Sequence, residues 1–108
     1  MSEAVFEAVQ LVQDRVRFLT GSDDSGRTLM ESVFDMRQPR LDITTTTGKS
    51  AEAEREGFRL LFIGAVLGLG CMRGAGMAVP LTLEETLEYL AVASMLMRRL
   101  DRAERRLD

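Results

Sequence analysis

A chain of 108 residues with 45% hydrophobic and 29% charged residues has the size and balance of one globular domain rather than of a disordered segment. Its formal net charge of -3 excludes the general basic field of a non-specific nucleic-acid binder and leaves only a local basic stripe for that role. Histidine is absent, so the commonest general base and a principal zinc ligand are missing from any chemistry the chain performs, and no cofactor is expected.

A domain this small buries only part of its unfolded surface, so a further apolar face calls for a partner chain, and a homodimer is the first expectation. The single cysteine, Cys71, has no intrachain partner, and no basic-then-apolar signal segment opens the chain, so the reducing cytoplasm is the expected compartment. The most apolar stretch, residues 58–72, contains Arg59 and falls short of the roughly 20 residues a spanning helix needs. It reads as a core helix, not a membrane segment.

The first helix is expected over residues 3–19, because Val5, Val9, Val12, Val16 and Leu19 recur at helical spacing on one face, with Ser2 as cap. Gly21 is placed to end it in a left-handed conformation. A second, shorter helix is expected over residues 25–34, with Asp24 or Ser25 near its cap and Leu29, Met30, Val33 and Phe34 on the buried side. Pro39 blocks continuation. Residues 36–49, with Leu41, Ile43 and four consecutive threonines, read as a loop. Ser50 opens a strong segment running to Leu69, with Glu52, Glu54 and Glu56 toward the positive end of its dipole. Phe58, Leu61, Phe62, Ala65, Val66 and Leu69 line one side while Leu60, Ile63 and Leu67 add another, so this helix is expected to be buried nearly all round.

Gly70, Gly74, Gly76 and Pro80 make the next segment an irregular connection. Thr82-Leu83-Glu84-Glu85 has capping-box spacing and starts the last helix. Leu83, Leu87, Leu90, Ser94, Met97 and Leu100 or Asp101 trace its expected inner face, and Arg98, Arg99, Arg102, Arg105 and Arg106 make its last turns basic. No repeat or composition shift divides the chain, so residues 1–108 form one domain, an all-α bundle of about four helices.

Several clusters carry candidate chemistry. Thr47-Gly48-Lys49-Ser50 resembles the end of a phosphate-binding loop, but Ile43 stands where the motif needs another glycine. Gly64 and Gly68 share a helix face and fit either a dimer seam or tight packing inside one bundle. Glu84, Glu85 and Glu88 suit a cation but suit capping and the helix dipole better. The terminal arginines fit phosphate or RNA, yet Asp101, Glu104 and Asp108 are interleaved with them as in a solvated helix laced by local ion pairs. Cys71 reads as a buried structural thiol, because a cysteine–histidine nucleophile pair is impossible here.

Residues 56–68, EGFRLLFIGAVLG, followed by residues 87–101, LEYLAVASMLMRRLD, resemble the phage-associated Ymh family of hypothetical proteins. Residues 26–34 and the segment beginning at Ala4 resemble it too, so the likeness covers most of the chain, with a start that looks truncated. Members of that family are similar to HEPN-type abortive-infection domains. The resemblance implies a dimerising helical bundle that, when active, cleaves RNA with an arginine–histidine motif at the dimer interface.

That motif departs from the pattern here: Gly70 occupies the arginine place and Ala75 the histidine place. Arg73 is a shifted arginine, but Met77, Ala78, Val79 and Pro80 beyond it transfer no proton. The resemblance therefore implies a non-catalytic member of a prokaryotic or phage defence system, binding RNA or a partner protein as a homodimer. Arg73, Arg98 and Arg102 are its candidate phosphate contacts, and Gly64 and Gly68 lie at its dimer interface. The alternatives are a slow metal-independent RNase and a structural oligomerisation domain.

Overall fold

A computed structural model of the chain describes residues 2–71 and 80–107. It contains four α-helices, α1 (Ser2–Thr20), α2 (Gly26–Val33), α3 (Gly48–Gly64) and α4 (Leu83–Arg105), and a π-helical turn, Ala65–Leu69, that continues α3. No strand occurs among the described residues.

The valine stripe of α1 behaves as its spacing predicts, with Val5, Val9, Val12 and Val16 all buried, each worth roughly 1.5–3 kcal/mol relative to exposure. Their partner is α4, which makes the most extensive interhelical contact, with α1. Ser2 belongs to the first turn of α1 rather than capping it. Gly21 takes φ +73 and donates its N–H to the Arg17 carbonyl at 2.7 Å, which ends the helix. Gln13 reaches across to accept the Gly26 N–H at 2.8 Å and so fixes the start of α2. Leu29, Met30, Val33 and Phe34 are buried, and the Phe34 ring stacks on Phe62 of α3 at 4.3 Å.

Two expectations fail. The segment after Ser50 is not buried all round: Phe62, Ile63, Ala65 and Val66 meet the core, whereas Leu60 and Leu61 are 57% and 45% exposed. A bundle of four helices covers α3 on one side only, because α1 and α4 pair with each other and α2 is two turns long. The inner face of α4 is also rotated from the one expected. Thr86, Ala93, Leu96, Leu100 and Ala103 are buried, while Leu83 and Leu87 lie outside. Of the expected row only Leu100 is buried, and it shares the inner face with Leu96 and the small Ala93 and Ala103. The capping box at Thr82 and Glu85 forms as predicted, Thr82 accepting from the Glu85 N–H at 3.1 Å and Glu85 accepting from the Thr82 N–H at 3.0 Å.

The π turn closes with the Gly70 N–H on the Ala65 carbonyl at 3.1 Å. The irregular stretch is residues 34–47 rather than the expected 36–49, since α3 already opens at Gly48, and it is not a detached loop: Leu41 and Ile43 are buried in the core. No described helix is long and apolar enough to cross a membrane.

Candidate functional site

The arginines of α4 leave the helix in different directions, and direction decides what each does. Arg99 points toward α3. Its Nη1 donates to Glu54 Oε2 at 2.6 Å and to the Ile43 carbonyl at 3.1 Å, and its guanidinium lies 4.0 Å from the centre of the Phe58 ring. Glu54 in turn accepts from the backbone N–H groups of Thr45 and Thr46 at 2.7 and 3.0 Å and from both threonine hydroxyls. Burial opposes the charge on Glu54, but the hydrogen bonds from Thr45, Arg99 and Thr46 outweigh it and hold the carboxyl far below its ordinary 4.5.

Next to it, Arg106 pairs with Asp42 at 2.5 Å and donates to the Thr44 hydroxyl at 3.1 Å. Asp42 also accepts from the Thr44 N–H and hydroxyl, at 3.0 and 2.6 Å. Partial burial opposes its charge too, and the Thr44 hydrogen bonds together with Arg106 hold its pKa below normal. The threonine run is thus pinned between α3 and α4. A carboxylate whose oxygens are filled by donors is a structural anchor, not a proton acceptor, so neither Glu54 nor Asp42 is a general base.

Arg98 and Arg102 point the other way. With Ala91, Ser94, Met95 and Arg99 they line a shallow groove of about 470 Å³ on the outer face of α4. Among the described residues, Asp101 and Glu104 form no ion pair with the arginines of their own helix. Asp101 and Glu104 are instead drawn across to Arg15 of α1, at 2.9 and 2.5 Å, where the Glu104 hydrogen bond leads in raising the Arg15 pKa. Arg98 and Arg102 have no carboxylate partner among the described residues.

The structure places the other candidates as follows. Gly64 and Gly68 are exposed, and a Cβ at either would meet nothing within 4 Å among the described residues, so no described neighbour requires glycine there. Gly70 is different, since a Cβ would lie 2.3 Å from the Val66 carbonyl oxygen. Its place in the π turn admits no side chain without a backbone shift, so arginine cannot simply be restored there. Cys71 is exposed rather than buried and donates its thiol to the Gly68 carbonyl at 3.1 Å. Lys49 and Ser50 sit in the exposed first turn of α3, with no strand before them among the described residues. Glu85 is committed to the capping box, and no group of acidic or sulfur side chains able to hold a metal occurs among the described residues. Arg73 and Ala75 lie outside the described residues.

The Glu54 and Asp42 anchors were missed at the level of sequence. The only signal was a threonine run facing, at a distance in the chain, one glutamate among several. A family model described as a protein of unknown function (Hypoth_ymh) matches residues 1–100. No curated protein and no solved structure matches the chain significantly.

Proposed function

The chain belongs to the Hypoth_ymh family, and within it we propose that this member is a non-catalytic, HEPN-like binding module of a prokaryotic or phage defence system, working in the cytoplasm as a homodimer. The observation that carries the reading is an exposed surface with two parts. One is the exposed side of α3 and its π turn that carries Gly57, Leu61, Gly64 and Gly68. The other is the α4 groove with Arg98 and Arg102, which have no carboxylate partner among the described residues. A second copy covers one part of this surface, and RNA phosphate or an acidic partner engages the part left open. The chain cannot supply a histidine base, and its best-placed carboxylates are occupied, which supports binding over cleavage.

Light-scattering mass at several concentrations, with labelled single-stranded RNA titrated into the same samples, tests this. A dimer that binds RNA without shortening it is the expected result. A monomer that ignores RNA removes the reading, and cleavage above buffer background removes its non-catalytic part.

A further inference from the structure

The outer face of α4 carries a charge pattern that the single chain does not use. At about 3.6 residues per turn, Glu84, Glu88, Ala91, Met95, Arg98 and Arg102 fall on one side of the helix, and all six are exposed. The acids are four residues apart, and so are the arginines, so each end of the face holds a repelling pair. None of these four charges has an opposite partner among the described residues. The helix dipole does not account for the pattern, because its influence fades within a turn and Glu88 and Arg98 lie farther in.

Turned end for end about the level of Ala93, the face matches itself. Glu88 and Arg98 each lie five residues from that level, about 7.5 Å along the axis, and Glu84 and Arg102 each lie nine residues from it, about 13.5 Å. Ala91 and Met95 face each other across the centre. Leu87, 57% exposed, comes level with Arg99 of the other copy, at the groove that Met95, Arg98 and Arg102 help to line. We infer that a second copy of this chain docks here, α4 against α4 and antiparallel, with Glu88 paired to Arg98 and Glu84 to Arg102 across the seam.

The contact is isologous, so each pair occurs twice. Ala91 and Ser94 keep the centre low enough for the usual 8–10 Å between packed helix axes, about the closeness the ion pairs need. The inference rests on the homodimer of the proposed function, centres its seam on α4, and assigns Arg98 and Arg102 to the second copy in place of phosphate.

The test is a charge swap on the full chain, read by light-scattering mass across a concentration series at low salt. Glu88→Arg and Arg98→Glu each put like charges together at two places in the seam and are expected to weaken the dimer about tenfold or more. The double variant Glu88→Arg/Arg98→Glu restores opposite charges with reversed polarity and is expected to dimerise again. Each single swap places opposite charges four residues apart within the chain, so the monomer's helix content and melting temperature should hold. Should either single variant fail to fold, Glu84→Arg and Arg102→Glu ask the same question at the outer pair. A wild-type dimer that ignores the swaps but is lost on Gly64→Leu puts the seam on α3 and overturns this inference alone. Loss of RNA binding by Arg98→Glu with the dimer unchanged also overturns it. A wild-type monomer at every concentration overturns the inference and the homodimer together.

Discussion

The two flanks of α4 use the same residue type in opposite ways. Arg99 is held by Glu54, by the Ile43 carbonyl and by the face of Phe58, and the threonine loop is folded around it. Arg98, its neighbour in sequence, stands in an open groove with no carboxylate partner among the described residues. Leu100, the next residue, is fully buried against the core. Three consecutive positions therefore serve solvent, a polar anchor and the core, because each step along a helix turns about 100°. An arginine beside packed structure is spent on architecture, and one beside solvent remains free for another molecule.

The largest effect is expected on the buried side. Leu100→Ala removes a side chain with no exposed surface and should cost about 2–5 kcal/mol in denaturant unfolding, with the loss reported by circular dichroism. A cost below 1 kcal/mol would mean that the α1–α4 contact is looser than described.

Second comes the anchor. Glu54→Ala leaves Arg99 and the Thr45 and Thr46 N–H groups without their shared acceptor and should cost about 1–3 kcal/mol. A double-mutant cycle with Arg99→Ala should show a coupling of at least about 0.5 kcal/mol, whereas pairing Glu54→Ala with Arg98→Ala should give strict additivity. Coupling to Arg98 instead would erase the contrast between the two flanks.

Third is a pH dependence of the anchored flank. Glu54 and Asp42 have folded pKa values below their ordinary 4.5 and 3.8, so the unfolded chain binds protons first. Their stabilisation is complete above those ordinary values and is lost progressively as pH falls through them toward the folded values. Urea unfolding at pH 7 and pH 3 should show a larger drop for the wild type than for Glu54→Gln. Equal drops would show that the anchor does not depend on the Glu54 charge. The smallest effect belongs to Arg98→Ala, expected to change monomer stability by no more than about 0.5 kcal/mol. A large loss there would reveal a partner within the chain.

Much of the architecture was legible because it depends on local periodicity and local chemistry. The α1 valines, the left-handed Gly21, the buried side of α2 and the Thr82–Glu85 box each involve residues within a few positions of one another. The candidate site was legible only in part. The spacing marks the arginine-rich end of α4 as a helix laced by local ion pairs, but Asp101 and Glu104 turn instead to Arg15, far away in the chain. Gly64 and Gly68 are both exposed, and whether their surface is covered depends on which helices lie nearby.

By itself, then, the sequence determined the number of helices, most of their limits and the inner faces of α1 and α2. Only the tertiary structure decided which side of α3 stays bare, which row of α4 meets the core, why Gly70 admits no side chain, and which arginines are spent. The physical reason is range: helical spacing and capping act over one turn, whereas burial, ion pairing and steric closeness depend on neighbours brought together from distant parts of the chain.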